Sequence, residues 1–476
     1  MVLYGYITAF SYGIICLLAA ALLYKLGMPK IYTRKFVHVF VGFEWVILYI
    51  FHGATYHFLL VCLAFLALLV IVAAKKLMPM ISSDSDNALG TVYYAVSMSI
   101  MASVCLADKR FMMPFGIAVF CTSFGDGFAA VIGQSLRKFN PRIYKNKSLF
   151  GTFTNFVFCI ASTVVIKLIF NLELSYFYIA LIALFAVELE LFTAKGLDNI
   201  TLPIGTFLLS AFLMFYSDAS EYVVPIILTL PVIAVVNAKK LLSAVGVYVA
   251  LALDLIISFS LGNFGFSLLL LFLALGALSD GIKKHGKDAD FSKKREVRTH
   301  TQVLANAFVA AICAVLFWAC KNTVFAVAFA AALAEALADT LSSSFGYLSK
   351  GAFDVFKMKK CQKGLSGGMS VIGTASALVG AAFMGGVCIL FGYTGLKFFL
   401  SVTVAAFLGT VFDSFLGSVF QAKYKCKICG KITEHEEHCG LPADKYSGVS
   451  FINNNTVNFL STAFAAALAS LIYYLA

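Results

Sequence analysis

An all-α, polytopic transmembrane bundle is the fold this sequence predicts, on its composition, the length of its apolar runs and the placement of its charges. Of 476 residues, 61% are hydrophobic and only 13% charged, a balance too apolar for a soluble chain of this size. Uninterrupted apolar runs of roughly 16 to 25 residues recur along the chain, and a helix needs about 20 to cross the hydrocarbon, so about sixteen spans are expected. A closed β-barrel would instead show alternating segments of about 10 residues. Stretches such as 59–74 and 268–277 are continuously apolar, which excludes that pattern. The first run, 3–24, follows no positive stretch and precedes no small-residue cleavage site, so it reads as a retained span.

Net charge is +12, and its distribution says more than its size, because positive loops stay cytoplasmic. With 25–35 placed inside, the basic segments at 75–76, 137–147, 195, 239–240, 283–298, 350–363 and 423–445 all fall inside. Only the Asp108-Lys109-Arg110 turn falls outside. That regularity predicts an even number of spans with both termini external, in the plasma membrane of a bacterium or an archaeon. Topology alone explains an isolated Lys-Lys pair. Loops that combine Lys with Gly, Asp and Asn ask for chemistry as well. No nucleic-acid partner is expected, and the sequence leaves the oligomeric state open.

Two well-separated stretches carry the same short constellation. Asp126 stands seven residues before Gly133 and Asp339 seven before Gly346; Lys147 stands four before Gly151 and Lys363 four before Gly367. The features around them repeat in order: a basic mouth (Arg34-Lys35-Phe36-Val37-His38; 295–300), the acid-glycine element, the lysine-glycine loop, and a late Asn-rich element (Asp198-Asn199 before Pro203; Asn453-Asn454-Asn455 before Asn458). A duplicated chain is expected, divided near Asn237-Ala-Lys239-Lys240 into 1–238 and 239–476.

Phosphoryl transfer needs positive groups on the transferring phosphate, a carboxylate-held Mg²⁺ and an acceptor placed in line. Gly125-Asp126-Gly127 suits this: the glycines let backbone amides approach phosphate oxygens, and Asp126 can hold the metal or take the acceptor's proton. An ionisable residue within a span is costly and usually functional. Lys147-Ser148-Leu149-Phe150-Gly151-Thr152 opens the next span, where a helix N-terminus adds amides. A capping loop beside a packing aspartate would look the same.

In the second half Glu335, Asp339 and Ser342 fall at i, i+4 and i+7, on one helical face. Two carboxylates there call for a cation, Mg²⁺ by preference, with Ser342 and Ser343 as further oxygen donors; a polar zipper between helices is the alternative. Lys363-Gly364-Leu365-Ser366-Gly367-Gly368 can cradle phosphates, although it lacks P-loop order. Asp413, near Ser414 and Ser418, and Glu188 with Glu190 read as mid-span second ligands or as buried hydrogen-bonding residues. Arg34, Lys35 and His38 can take an anionic nucleotide, as can Arg and Lys that merely snorkel.

Most of the twelve cysteines stand singly in apolar spans as small hydrophobes. The exception is the polar loop 422–450, where Cys426-Lys-Ile-Cys429-Gly is followed by His435, His438 and Cys439-Gly. That spacing fits a structural Zn²⁺ held by Cys426, Cys429 and Cys439, with His438 or His435 fourth. A redox pair is the competing reading, weakened by the expected reducing compartment.

On these motifs the first half resembles the membrane-embedded, CTP-dependent phytol and dolichol (polyprenol) kinases: Arg34-Lys35-x-x-His38, Gly125-Asp126-Gly127 with Gly133, Lys147-Ser148-x-x-Gly151-Thr152, the Glu188 region, and Asp198-Asn199 with Pro203. The second half resembles the phytyl-phosphate kinases through Glu335-x-x-x-Asp339-Thr340-x-Ser342-Ser343, the 364–373 stretch, Asp413-Ser414, and Asn454-Asn455 with Val457-Asn458. The resemblance implies a fused two-step isoprenoid salvage kinase with cytoplasmic active sites. It would make a prenyl monophosphate from the alcohol, usually with CTP, and then the diphosphate. One departure is that the second half has Ser342-Ser343-Ser344 where the first has Ala129-Ala130. Intramembrane acids and repeats also suit a transporter, and cation and phosphate groups suit a cytidylyltransferase making a CDP-lipid.

Overall fold

The structure, a computed structural model, describes residues 2–75, 89–136, 139, 141–144, 147–193, 196–283, 297–361 and 365–476. Lys363 and Gly364 therefore lie outside the described residues. The chain is an all-α membrane protein that divides into two compact units, 1–230 and 231–476. In order, the first carries α1 (Val2–Lys25), α2 (Lys30–Val41), α3 (Glu44–Phe51), α4 (Tyr56–Lys75), α5 (Gly90–Ala107), α6 (Met112–Phe120), α7 (Gly127–Ser135), strands β1 (Arg142–Tyr144) and β2 (Lys147–Ser148), α8 (Leu149–Phe170), α9 (Tyr176–Phe192), α10 (Asp198–Phe215) and the start of α11 (Val223–Ala238). The second carries α12 (Ala244–Lys283), α13 (His300–Cys320), α14 (Thr323–Gly346), β3 (Ala352–Asp354), β4 (Lys359–Cys361), α15 (Val371–Ile389) and α16 (Leu396–Val419). A small β region follows, with β5 (Lys423–Lys425), β6 (Ile432–Thr433), β7 (Glu437–His438), β8 (Leu441–Pro442) and β9 (Asp444–Ser447), then α17 (Asn454–Leu475).

Among the described residues, thirteen helical segments are long and apolar enough to cross a membrane, fewer than the apolar runs suggest. The difference is local. The apolar stretch after Lys30 breaks at Gly42 and Phe43 into α2 and α3, of 12 and 8 residues, too short to span. Helix α9 has 17 residues. Conversely α12 is two helices joined at Gly262, whose φ of 56° is open to glycine.

Each unit has its own core. Trp45, Leu48, Met101, Phe115 and Ile117 are buried at the centre of the first. In the second the centre is α14, where Ala326 to Ala338 are buried without a break. Its alanines let five neighbours, α12, α13, α15, α16 and α17, pack directly on it, the close approach that small residues allow between membrane helices. Side-chain caps start these helices: Asn322 accepts from Val324 N at 3.0 Å, and Ser370 from Gly373 N at 3.2 Å.

The same packing order recurs in the two units. In the first, α4 packs on α5, α7 on α8, α8 on α9 and α9 on α10, while α10 returns to α5 and α6. In the second, α12 packs on α13, α14 on α15, α15 on α16 and α16 on α17, while α17 returns to α13 and α14. Glycines set the register of this correspondence. A Cβ on Gly133 or on Gly151 would stand 3.0 Å from Ser148 Oγ, and one on Gly151 would reach Ala129 O at 3.1 Å. In the second unit Gly346 and Gly373 take these places around Ser370 Oγ, and a Cβ on Gly373 would meet Ser342 O at 2.9 Å. Ser148-Leu-Phe-Gly151-Thr152 thus corresponds to Ser370-Val-Ile-Gly373-Thr374. The lysine spacing instead pairs Gly151 with Gly367, and the packing corrects that alignment.

If these glycines are crossing points, a single methyl is felt. Gly151→Ala and Gly373→Ala should each destabilise by about 1–3 kcal/mol, with Gly373→Ala the more severe. Thermal unfolding of the detergent-solubilised protein reads this, and unchanged midpoints for both variants would refute the crossings.

Candidate active site

In the first unit α6 runs through a single π-helical turn, Cys121–Asp126, into α7. Such a turn carries an extra residue per repeat and is frequent at functional sites. It leaves Asp126 7% exposed, facing α2. Lys35 Nζ donates to Asp126 Oδ2 at 2.5 Å, and His38 Nε2 lies 3.4 Å from the same oxygen and 3.2 Å from the carbonyl of Thr122. The approach of α2 depends on glycine at two points: a Cβ on Gly127 would stand 2.4 Å from Val39 Cγ2, and one on Gly42 2.7 Å from Ser123. On the other side of the turn, a Cβ on Gly125 would stand 2.5 Å from Asn155 Oδ1.

Lys147 comes in from β2. It donates to Glu190 Oε1 and lies 3.9 Å from Asp198 Oδ2, while Asn155 Nδ2 donates to the other Glu190 oxygen at 2.9 Å. Burial works against the Lys147 charge, but Glu190, Asp126 and Asp198 outweigh it and hold the ammonium above the ordinary lysine value. Asn199 closes its own turn on Gly196 O at 3.2 Å, and its carbonyl accepts from Ser97 Oγ at 2.9 Å. Glu188 and Glu190 stand in the last turns of α9 rather than mid-span.

Arg34, Lys35, His38, Asp126, Asp198 and Asn199 line one cavity of about 210 Å³. Its remaining wall is mainly apolar, with Leu17, Phe65, Leu68, Leu69 and Met98. Glu44, also on that wall, is 5% exposed, and its Oε1 has no hydrogen-bond partner among the described residues. The sequence reading passed over Glu44; an acid inside an apolar run was the signal.

In the second unit Glu335 and Asp339 lie on α14 and Asp413 near the end of α16. Glu335 is 1% exposed, and its Oε1 has no hydrogen-bond partner among the described residues. Asp339 and Asp413 are the neighbouring charges that act on it. Asp413 Oδ2 accepts from Ser461 Oγ at 3.3 Å, and Gly409 on α16 lets that helix close to 2.6 Å from Glu335 Cγ, measured at an added Cβ. Ser342 borders Gly373, whereas Ser343 donates to the carbonyl of Thr340 at 3.0 Å. Asn454 is exposed, Asn455 Nδ2 donates to Thr301 Oγ1 at 3.3 Å, and Asn458 Nδ2 donates to Asn306 Oδ1 at 3.0 Å. Arg298 lies beside Gly276 with Thr340, the residue after Asp339; the sequence shows it only as one member of a basic run.

Of the glycine-rich loop, Ser366, Gly367 and Gly368 are described. Ser366 N donates to Glu434 Oε1 at 2.6 Å, and Lys423 Nζ donates to Ser366 O at 2.8 Å. Gly367 has φ +89°, and a Cβ there would stand 2.6 Å from Ser418 Cα. Beyond Lys423 the ligand atoms of Cys426, Cys429, His438 and Cys439 all lie within 4.8 Å of one another, and His435 stands outside this set.

The Lys35–Asp126 pair is testable alone. Breaking a buried pair from one side costs about 3–5 kcal/mol, so Lys35→Met should strongly lower thermal stability. Lys35→Met combined with Asp126→Asn should recover part of the loss, with a coupling of about 0.5–3 kcal/mol. Strict additivity would mean that the two side chains do not interact.

Comparison with known proteins adds three findings. The profile described as "Integral membrane protein DUF92" matches residues 227–466. The chain is 27% identical over 204 residues, 40% of its own length and 84% of the relative's, to a phytol kinase of Synechocystis sp. (strain ATCC 27184 / PCC 6803 / Kazusa). No solved structure matches at a significant level. The profile takes in Glu335, Asp339, Asp413 and the Cys-His loop, and it covers half of the chain. The chain belongs to the DUF92 family of integral membrane proteins.

Proposed function

We propose that this protein is a membrane-embedded isoprenoid salvage kinase whose first unit phosphorylates a prenyl alcohol and whose second converts the monophosphate to the diphosphate. The observation that carries the reading is the cavity of the first unit, with Arg34, Lys35, Asp126 and Asp198 on its wall and mainly apolar side chains over the rest. A long alcohol with one polar end fits such a wall. The identity to a phytol kinase supports the same substrate class, and the resemblance of the first half to CTP-dependent enzymes supports CTP as donor. The basic residues of the connecting loops support a cytoplasmic setting for this chemistry.

In the first unit the acceptor hydroxyl is oriented by Asp126, which is paired with Lys35. The acceptor oxygen bonds to the γ-phosphorus as that phosphorus parts from the bridging oxygen of CDP, and the hydroxyl proton leaves toward Asp126. Arg34 and Lys147 set positive charge against the phosphates, His38 offers a hydrogen-bonding imidazole, and the amide of Gly151 in the first turn of α8 adds a donor. In the second unit Ser366, Gly367 and Gly368 supply the loop, and Glu335, Asp339 and Asp413 the carboxylates. A bound Mg²⁺ would neutralise phosphate charge; Asp126 would hold it in the first unit, Glu335 and Asp339 in the second. Glu335 Oε1, which has no donor among the described residues and stands in an apolar span, suits that role.

Purified protein given γ-labelled CTP with phytol or geranylgeraniol should yield labelled lipid monophosphate and then diphosphate. Label appearing only in pyrophosphate would indicate nucleotidyl transfer instead, and no labelled lipid would refute the kinase. Asp126→Asn should slow monophosphate formation by roughly 10²–10⁴-fold while added monophosphate is still converted. Asp339→Asn should do the reverse. Loss of both steps in either variant would refute two separate sites.

A further inference from the structure

We propose that Cys426, Cys429, His438 and Cys439 hold a structural zinc ion, and that the folded knuckle sets the conformation of the 366–368 loop through Glu434 and Lys423. The ligand set is Cys₃His, with its donor atoms within 4.8 Å of one another. Three thiols and an imidazole so close match a closed tetrahedral site in both number and type. Cys429 Sγ and Cys439 Sγ lie 3.5 and 3.2 Å from His438 Nδ1. The backbone is bent for such a knuckle: Gly430 N donates to Cys426 O at 3.0 Å, and Gly430, Cys439 and Gly440 all have positive φ.

The knuckle stands on a three-stranded sheet in the order β6-β5-β9. Two side chains of this region reach the glycine-rich loop. Lys423 begins β5 and donates to Ser366 O at 2.8 Å; Glu434, just after β6 and between the two pairs of ligands, accepts from Ser366 N at 2.6 Å. Both backbone groups of Ser366 are thus held from the knuckle side. The opposite side of the loop rests on the end of α16, where Gly417 and Ser418 abut Gly367. Asp413 lies one turn earlier on α16 and feels the Glu434 charge. The loop therefore sits between the knuckle sheet and the helix that carries Asp413. Without zinc, the two-residue edge strand β6 and four uncoordinated ligands have little of their own to keep Glu434 in place. Glu434 is a positioning residue.

The inference uses the second unit's site geometry, and its test needs no turnover, so it stands or falls apart from the kinase reading. Full-length protein, expressed with added zinc and purified in detergent, is assayed for metal by plasma mass spectrometry and for amide exchange at 365–370. Stoichiometric zinc is expected. Cys429→Ser with Cys439→Ser should reduce it to less than about a tenth and speed exchange at 365–370 by roughly tenfold. Glu434→Ala should keep the zinc and the protection of β5 and β9 while speeding exchange at Ser366 alone. Protein lacking stoichiometric zinc, or either variant with unchanged exchange at the loop, would overturn the proposal.

Discussion

A carboxylate inside an apolar span must be compensated, and the arrangement of the first unit follows from how Asp126 meets that requirement. Lys35 neutralises it at 2.5 Å, so α2 has to lie against the π-helical turn. That closeness requires Gly42 and Gly127 at the crossing. It also accounts for the short α2: the chain turns at Gly42 and Phe43 and resumes as α3 on the buried Trp45 and Leu48. A continuous spanning helix would carry the following residues away from the core. The cavity lies where α2 leaves room beside α4 and α5, so charge compensation and a mainly apolar cavity arise from one packing decision.

The second unit keeps the helix order and changes the electrostatics. Glu335, Asp339 and Asp413 gather where the first unit sets Asp126 against Lys35 and His38, and Glu335 has an oxygen with no hydrogen-bond donor among the described residues. Under the two-step reading the contrast has a chemical sense. A neutral hydroxyl needs only a carboxylate to orient it, with cations for the nucleotide. An anionic monophosphate approaching a nucleotide needs more positive charge than the side chains of this face supply, and acids that bind divalent cations are one way to bring it.

Much of this was legible in the sequence because it depends on type and spacing. Apolar runs gave the helical membrane class; Asp126, Glu335 and Asp339 stood out as acids in apolar helices; four of the five metal-type residues of the polar loop converge, His435 excepted. The register of the repeat was not read correctly. Lys147 drew the comparison to Lys363, while the shared Ser-x-x-Gly-Thr at 148–152 and 370–374 was the element that packing preserves. A lysine side chain is long enough to reach a site from several backbone positions; a glycine at a helix crossing is not. The partners of Lys147 and Ser366 were illegible for another reason: Glu190 is 43 residues from the first and Glu434 is 68 from the second, and no local pattern marks such contacts.

The corrected register also explains where the two units differ. In the first, the short β1–β2 segment leads into α8, Lys147 is tied to Glu190, and α9 joins α10 through 193–197. In the second, the chain between Gly346 and Ser370 is longer and ends in a glycine-rich turn, and the connection from α16 to α17 has grown into the Cys-His knuckle. These two enlargements meet at Ser366. Glycine loses more conformational freedom on ordering than any other residue, so 366–368 would be a poorly fixed loop if α16 were its only support. Lys423 and Glu434 supply the second support from the inserted sheet. An extended loop is usable for binding only if something holds it, and here the loop and the Cys-His segment that holds it belong to the same unit.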